Sequence, residues 1–191
     1  MSKGRMEAFS DGVIAILITI MVLELRSPAG TDLAALLPLG PVFLSYVLSF
    51  ALLGIYWNNH HHLLQAAKVV DGRVLLANLY LLFWLSLVPF ATAWMGQDQF
   101  APVPTAAYGF VSLMASFAYY FLVRALIACP GQAPQIAVAL GRDVKGKISP
   151  VVYTLAIPVA LVLPMVALAM YAVVVLLWFV PDRRIERTLA T

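Results

Sequence analysis

Two polar clusters interrupt an otherwise apolar chain. Phe9-Ser10-Asp11-Gly12 follows Arg5 near the N-terminus, with Thr19 two turns later, and Asn58-Asn59-His60-His61-His62 follows Trp57, with Asn78 further on. Such carboxylate, imidazole, amide and hydroxyl groups could ligate a metal, relay a proton or satisfy one another. A bis-histidine haem site needs ligands on two facing helices, whereas His60, His61 and His62 are consecutive and are the only histidines. Zinc needs three or four converging ligands, of which His60 and Asp11 supply a fragment. Metal-dependent membrane phosphotransferases carry several Asp residues on adjacent turns, and Asp11 has no such companion. Gly-x-Ser-x-Gly, His-Glu-x-x-His and P-loop sequences are absent, so neither an enzyme nor a bound metal or cofactor is expected. A Thr-Val-Gly-Tyr-Gly loop, the mark of a carbonyl-lined ion filter, is absent too; Ala107-Tyr108-Gly109-Phe110 echoes it only superficially, inside an apolar stretch.

The elements that position these residues must be membrane helices. Of 191 residues, 63% are hydrophobic and 11% charged, against about half and a quarter in soluble domains. The mean hydropathy is +0.93. A net charge of +3 is too small for a nucleic-acid binder, and the single Cys129 cannot form an internal disulfide. The first apolar stretch contains Glu7 and Asp11 and has no small-residue cleavage site after it, so it does not read as a signal peptide.

Apolar stretches near the roughly 20 residues that cross a bilayer recur along the chain, separated by Gly-, Pro- and Asp-containing gaps. The expectation is one all-α membrane domain over residues 1–191, with helices at about 8–25, 41–64, 73–95, 105–128, 148–163 and 165–181. The last two come from one long stretch, divided near Pro164. Cytoplasmic loops are enriched in Lys and Arg. Lys3 and Arg5, then Lys68 and Arg73, then Arg142, Lys145 and Lys147, then Arg183, Arg184 and Arg187 occupy alternate gaps and the two tails. The other gaps hold only Arg26. Both termini are therefore expected in the cytoplasm, which requires an even number of crossings. Trp and Tyr near the span ends read as interfacial anchors.

A charge at mid-helix costs roughly 2.5–3.5 kcal/mol on insertion scales, so the two clusters and Asn78, all in the inner half of the bilayer, are expected to satisfy one another. Helix phase divides the first helix. With Ile16 at zero and about 100° per residue, Thr19, Ile20 and Leu23 fall near −60°, +40° and −20° and form one stripe. Asp11 falls near −140°, almost opposite, which makes it a structural lock within its own bundle rather than a pore-lining acid. Glu24, near +80°, stands at the stripe's edge and reads either as a cation-concentrating group or as an interfacial residue.

The pattern Arg5-x-x-x-Phe9-Ser10-Asp11-Gly12-Val13-x-Ala15-Ile16-x-x-Thr19-x-x-x-Leu23-Glu24, with Trp57-x-x-His60-His61, Asn78 and Pro89-Phe90, resembles the transmembrane protein 175 family of potassium channels, in a bacterial member. The resemblance covers essentially the whole chain. It implies a homotetramer in a bacterial plasma membrane, with the first helix of each subunit lining a central pore. It places the constriction at Ile16, further hydrophobic layers at Ile20 and Leu23, and a pore-facing hydroxyl at Thr19. It assigns Arg5, Phe9, Ser10 and Asp11 to a network holding the first helix, with His60 or His61 and Asn78 as partners. The partners expected are the bilayer, monovalent cations and three further copies of the chain. A proton-coupled transporter using an Asp/His relay, or a noncatalytic membrane scaffold, are the alternatives from other classes.

Overall fold

The computed structural model describes residues 2–131 and 144–179. Arg142, Arg183, Arg184, Arg187, most of the 130–147 connection and the end of the expected 165–181 helix lie outside the described residues. The helices are α1 (Lys3–Leu23), α2 (Gly40–Ala66), α3 (Gly72–Ser86), α4 (Val88–Gln97), α5 (Pro102–Ala128), α6 (Val144–Val162) and α7 (Pro164–Phe179), with a 3-10 segment at Leu33–Leu39. By length and composition, five helical stretches are able to cross a membrane, α3 and α4 counting together as Gly72–Gln97; the sixth is the shorter α7. The chain is an all-helical, multi-pass membrane protein.

Local chemistry sets the boundaries. Asp71 caps α3, its Oδ1 accepting from the Arg73 and Val74 amides at 3.0 and 2.9 Å. Pro occupies the first turns of α2, α4 and α5, where its missing N–H costs nothing. The expected 73–95 helix is divided at Leu87, because Pro89 has no amide to offer the carbonyl one turn earlier. The expected 8–25 helix begins earlier, at Lys3: hydropathy marks the width of the hydrocarbon, whereas the helix continues into the polar interface. The division of the last stretch falls at Leu163, and α6 and α7 form an antiparallel hairpin closed by a bond from Trp178 Nε1 to Ser149 Oγ of 2.9 Å.

α5 is the central strut, packed on α3, α4, α6 and α7. Small residues bring the helices together, as bilayer packing requires. A side chain at Gly109 would collide with the Tyr171 hydroxyl, which donates to Thr105 O at 3.1 Å. At Gly96 it would meet Ser45 and lie 2.9 Å from Val42 Cα. A buried hydroxyl chain, Thr92 to Ser49 at 2.7 Å and Ser49 to Tyr108 at 3.2 Å, ties α4, α2 and α5. α1 lies at the edge of the bundle, against α2, α3 and α4. One end of the bundle carries seven of the eight described Lys and Arg residues, with Arg26 at the other.

Candidate functional site

α1 has two faces of opposite fate. Met6, Ser10, Ile14, Leu17 and Met21 are buried within the subunit, the three-and-four spacing of a single helix stripe. On the opposite face Ile16, Ile20 and Leu23 are 57%, 43% and 77% exposed, and Thr19 is exposed between them. The Thr19 hydroxyl donates to Ile16 O at 2.9 Å, so its proton is satisfied within the helix while oxygen lone pairs stay available. Gly12 and Ala15 extend the same exposed face with small side chains.

The buried face is fastened by a directed relay. His60 Nε2 lies 2.8 Å from Asn78 Oδ1, Asn78 Nδ2 donates to Ser10 Oγ at 2.9 Å, and Ser10 Oγ donates to Met6 O at 2.8 Å. His60, Asn78 and Ser10 are all buried. Because the Asn78 amide nitrogen is committed to Ser10, its oxygen faces the ring. His60 therefore carries its proton on Nε2, and three helices are joined by bonds that all run in one direction. Every donor in this chain has an acceptor, while His60 Nδ1 is buried without a partner among the described residues; an orphaned donor in hydrocarbon would cost several kcal/mol by estimates of about 2–7.

Two further ties lie beside it. Trp57 Nε1 donates to Asp11 Oδ1 at 3.0 Å, and His61 Nδ1 lies 3.3 Å from Glu7 Oε1. The Trp57 and His61 rings stack at 6.1 Å and 17°. Lys3 Nζ donates to Ala67 O at 3.0 Å, and at the far end Gln97 Nε2 donates to Glu24 Oε2 at 3.1 Å. α1 is thus held at both ends to its own subunit.

The structure brings together Ser10, His60 and Asn78 but distributes the other residues expected in this network. Asp11 bonds Trp57, and among the described residues no histidine bonds it. His61 serves Glu7 instead. Arg5 and Phe9 are exposed, and among the described residues Arg5 forms no ion pair. Their phases, about −20° and +20° from Ile16, put both on the exposed stripe; the grouping with Ser10 and Asp11 is what the family resemblance implies and not what helix phase gives. Glu7 and Trp57 are the residues that the sequence reading left out of the site. Their signal was present: Glu7 and Asp11 are four apart on one helix, Trp57 and His61 four apart on its antiparallel neighbour, so the pairs align across the interface. Among the described residues no three His, Cys, Asp or Glu side chains converge to hold a metal.

These bonds predict the weight of Asp11. Asp11→Ala is expected to cost about 1 kcal/mol, the scale of one hydrogen bond, whereas Asp11→Asn, which keeps an acceptor for Trp57, is expected to stay near wild type. Thermal unfolding in detergent checks the pair, and equal losses would show that charge rather than the hydrogen bond is what matters.

Residues 5–89 match the model of the endosomal/lysosomal potassium channel TMEM175 family. A protein named a potassium channel from Chryseobacterium sp. (strain P1-3) is 50% identical over 189 residues, 99% of this chain and 98% of its own length. The endosomal/lysosomal proton channel TMEM175 of Homo sapiens is 40% identical over 96 residues, 44% of this chain and 19% of that protein. The crystal structure of a lysosomal potassium-selective channel TMEM175 homolog from Chamaesiphon minutus superimposes with a TM-score of 0.77 at 27% identity, covering 92% of this chain and 95% of that one. With half of its residues identical to a relative along nearly the whole of both chains, and the same fold in a solved channel, this chain belongs to the TMEM175 family of ion channels.

Proposed function

We propose that the chain is a potassium-permeable cation channel, a homotetramer in a bacterial plasma membrane with both termini cytoplasmic and residues 1–191 acting as one channel domain. α1 from each subunit lines the path. The observation that carries this reading is the divided surface of α1. One face is buried and bonded within the subunit, while Ile16, Thr19, Ile20 and Leu23 lie together on the uncovered face. Four copies of Ile16, Ile20 and Leu23 stack apolar rings that close by dewetting and conduct when they widen. Such rings cannot coordinate an ion strongly, so potassium is favoured over sodium through its cheaper dehydration, helped by the Thr19 oxygens, and selectivity is moderate. The ties from Ser10, Asp11 and Glu7 hold the helix so that its stripe keeps facing the axis.

The test is flux from liposomes containing the purified full chain. Potassium release well above protein-free liposomes and above sodium release is expected, and no release of either ion overturns the proposal. A proton conductance is the second reading, favoured by the Glu7–His61 pair between α1 and α2. A pH-sensitive dye in the same liposomes measures it.

A further inference from the structure

On the side of the bundle away from α1, at the end rich in Lys and Arg, the inner turns of α2, α5, α6 and α7 enclose a cavity of about 210 Å³. Its walls are mostly apolar and aromatic, among them Leu52, Tyr56, Val123 and Tyr153. Two cations, Arg124 and Lys147, stand on its lining, and no carboxylate among the described residues does. Both side chains are exposed, and among the described residues neither joins an ion pair. The walls are braced on both sides. Trp178 bonds Ser149 across α7 and α6, and the Tyr119 hydroxyl donates to Asn59 O at 3.3 Å across α5 and α2. The cavity is partly open to the outside of the bundle, and α1 contributes nothing to it.

An apolar chamber with two cations on one rim, at the basic end of membrane helices, has the polarity of an anionic amphiphile. Apolar walls receive hydrocarbon, and Arg and Lys hold phosphate where the helices leave it. A soluble anion would gain nothing from the aromatic walls, and a zwitterionic lipid presents its own cation to Arg124 and Lys147. We propose that this cavity binds an anionic phospholipid, an acyl chain entering between α2, α5, α6 and α7 and its phosphate held by Arg124 and Lys147. The site is separate from the proposed ion path, so its test and the flux test succeed or fail independently.

Native mass spectrometry of the full chain in neutral detergent, with equal phosphatidylglycerol and phosphatidylcholine of the same acyl chains, tests the site. Retention of phosphatidylglycerol over phosphatidylcholine by about tenfold or more is expected, since each surface cation contributes roughly a fivefold preference for anionic lipid. Lys147→Gln, an exposed substitution, is expected to cut that preference about fivefold, and Arg124→Gln with Lys147→Gln to remove it. Arg73→Gln, at the same end but off the cavity, is expected to leave it intact, and Arg124→Lys with Lys147→Arg to preserve most of it. Equal retention of the two lipids by wild type overturns the proposal, as does an unchanged preference in both Gln variants. Displacement of the lipid by millimolar glycerol phosphate also overturns it, by showing a site for a small anion.

Discussion

Ile16→Asn is expected to raise potassium flux by about tenfold or more, equivalent to ~1.4 kcal/mol off the barrier, and to bring the potassium and sodium fluxes close together. Four apolar side chains at one level exclude water unless they separate, and an ion without its hydration shell finds no ligands among them. An amide at that level wets the ring and offers oxygens, so the barrier that distinguishes the two ions through dehydration is lost. Ile16 is 57% exposed, so the substitution removes little packing within the subunit and the protein is expected to assemble normally. Liposome flux for both ions, with wild type reconstituted alongside at equal density, is the measurement. Unchanged flux and an unchanged ratio would place the constriction elsewhere.

Asn78→Leu is expected to lower the stability of the folded subunit by about 2 kcal/mol. The side chains share a branched outline, with Leu the bulkier, so the loss combines unpaired polar groups with some overpacking at a buried position. The His60 Nε2 proton loses its acceptor and Ser10 Oγ loses its donor, both at positions without access to water. Hydrogen bonds between membrane helices average nearer about 0.6 kcal/mol when the partners can find replacements. Here His60, Asn78 and Ser10 are all buried, and water cannot supply the replacements. Ser10→Ala should cost less, because only the Asn78 amide is left without a partner. Thermal unfolding in detergent ranks the two, and equal stability of Asn78→Leu and wild type would mean that the relay does not fasten α1.

Hydropathy and the alternation of basic gaps made the helices, and the division of the last stretch near Pro164, legible in the sequence. Where the first helix begins was hidden, because Lys3, Arg5 and Glu7 are helical without being apolar. The interruption at Leu87 did have a sequence signal in Pro89, which the hydropathy of the surrounding run outweighs. Phase alone placed Ile16, Thr19, Ile20 and Leu23 on one stripe, and the structure leaves all four uncovered. The partners of Asp11 and His61 were not legible in this way. Common depth in the bilayer and the family resemblance gather these residues into one polar network, whereas the antiparallel register of α1 and α2 sets Glu7 opposite His61 and Asp11 opposite Trp57. Which residues meet across two helices depends on their offset along the axis, and composition carries no record of that offset.

In the proposed channel the uncovered stripe of α1 faces the ion path. Thr19→Cys, in a Cys129→Ala background that removes the chain's other thiol, tests it most directly, with Leu76→Cys on the exposed outer face of α3 as the control. Potassium flux through Thr19→Cys channels is expected to fall by most of its value on treatment with a small cationic thiosulfonate, and flux through the Leu76→Cys control to be unaffected. Confirmed labelling of Thr19→Cys with flux unchanged would contradict the account.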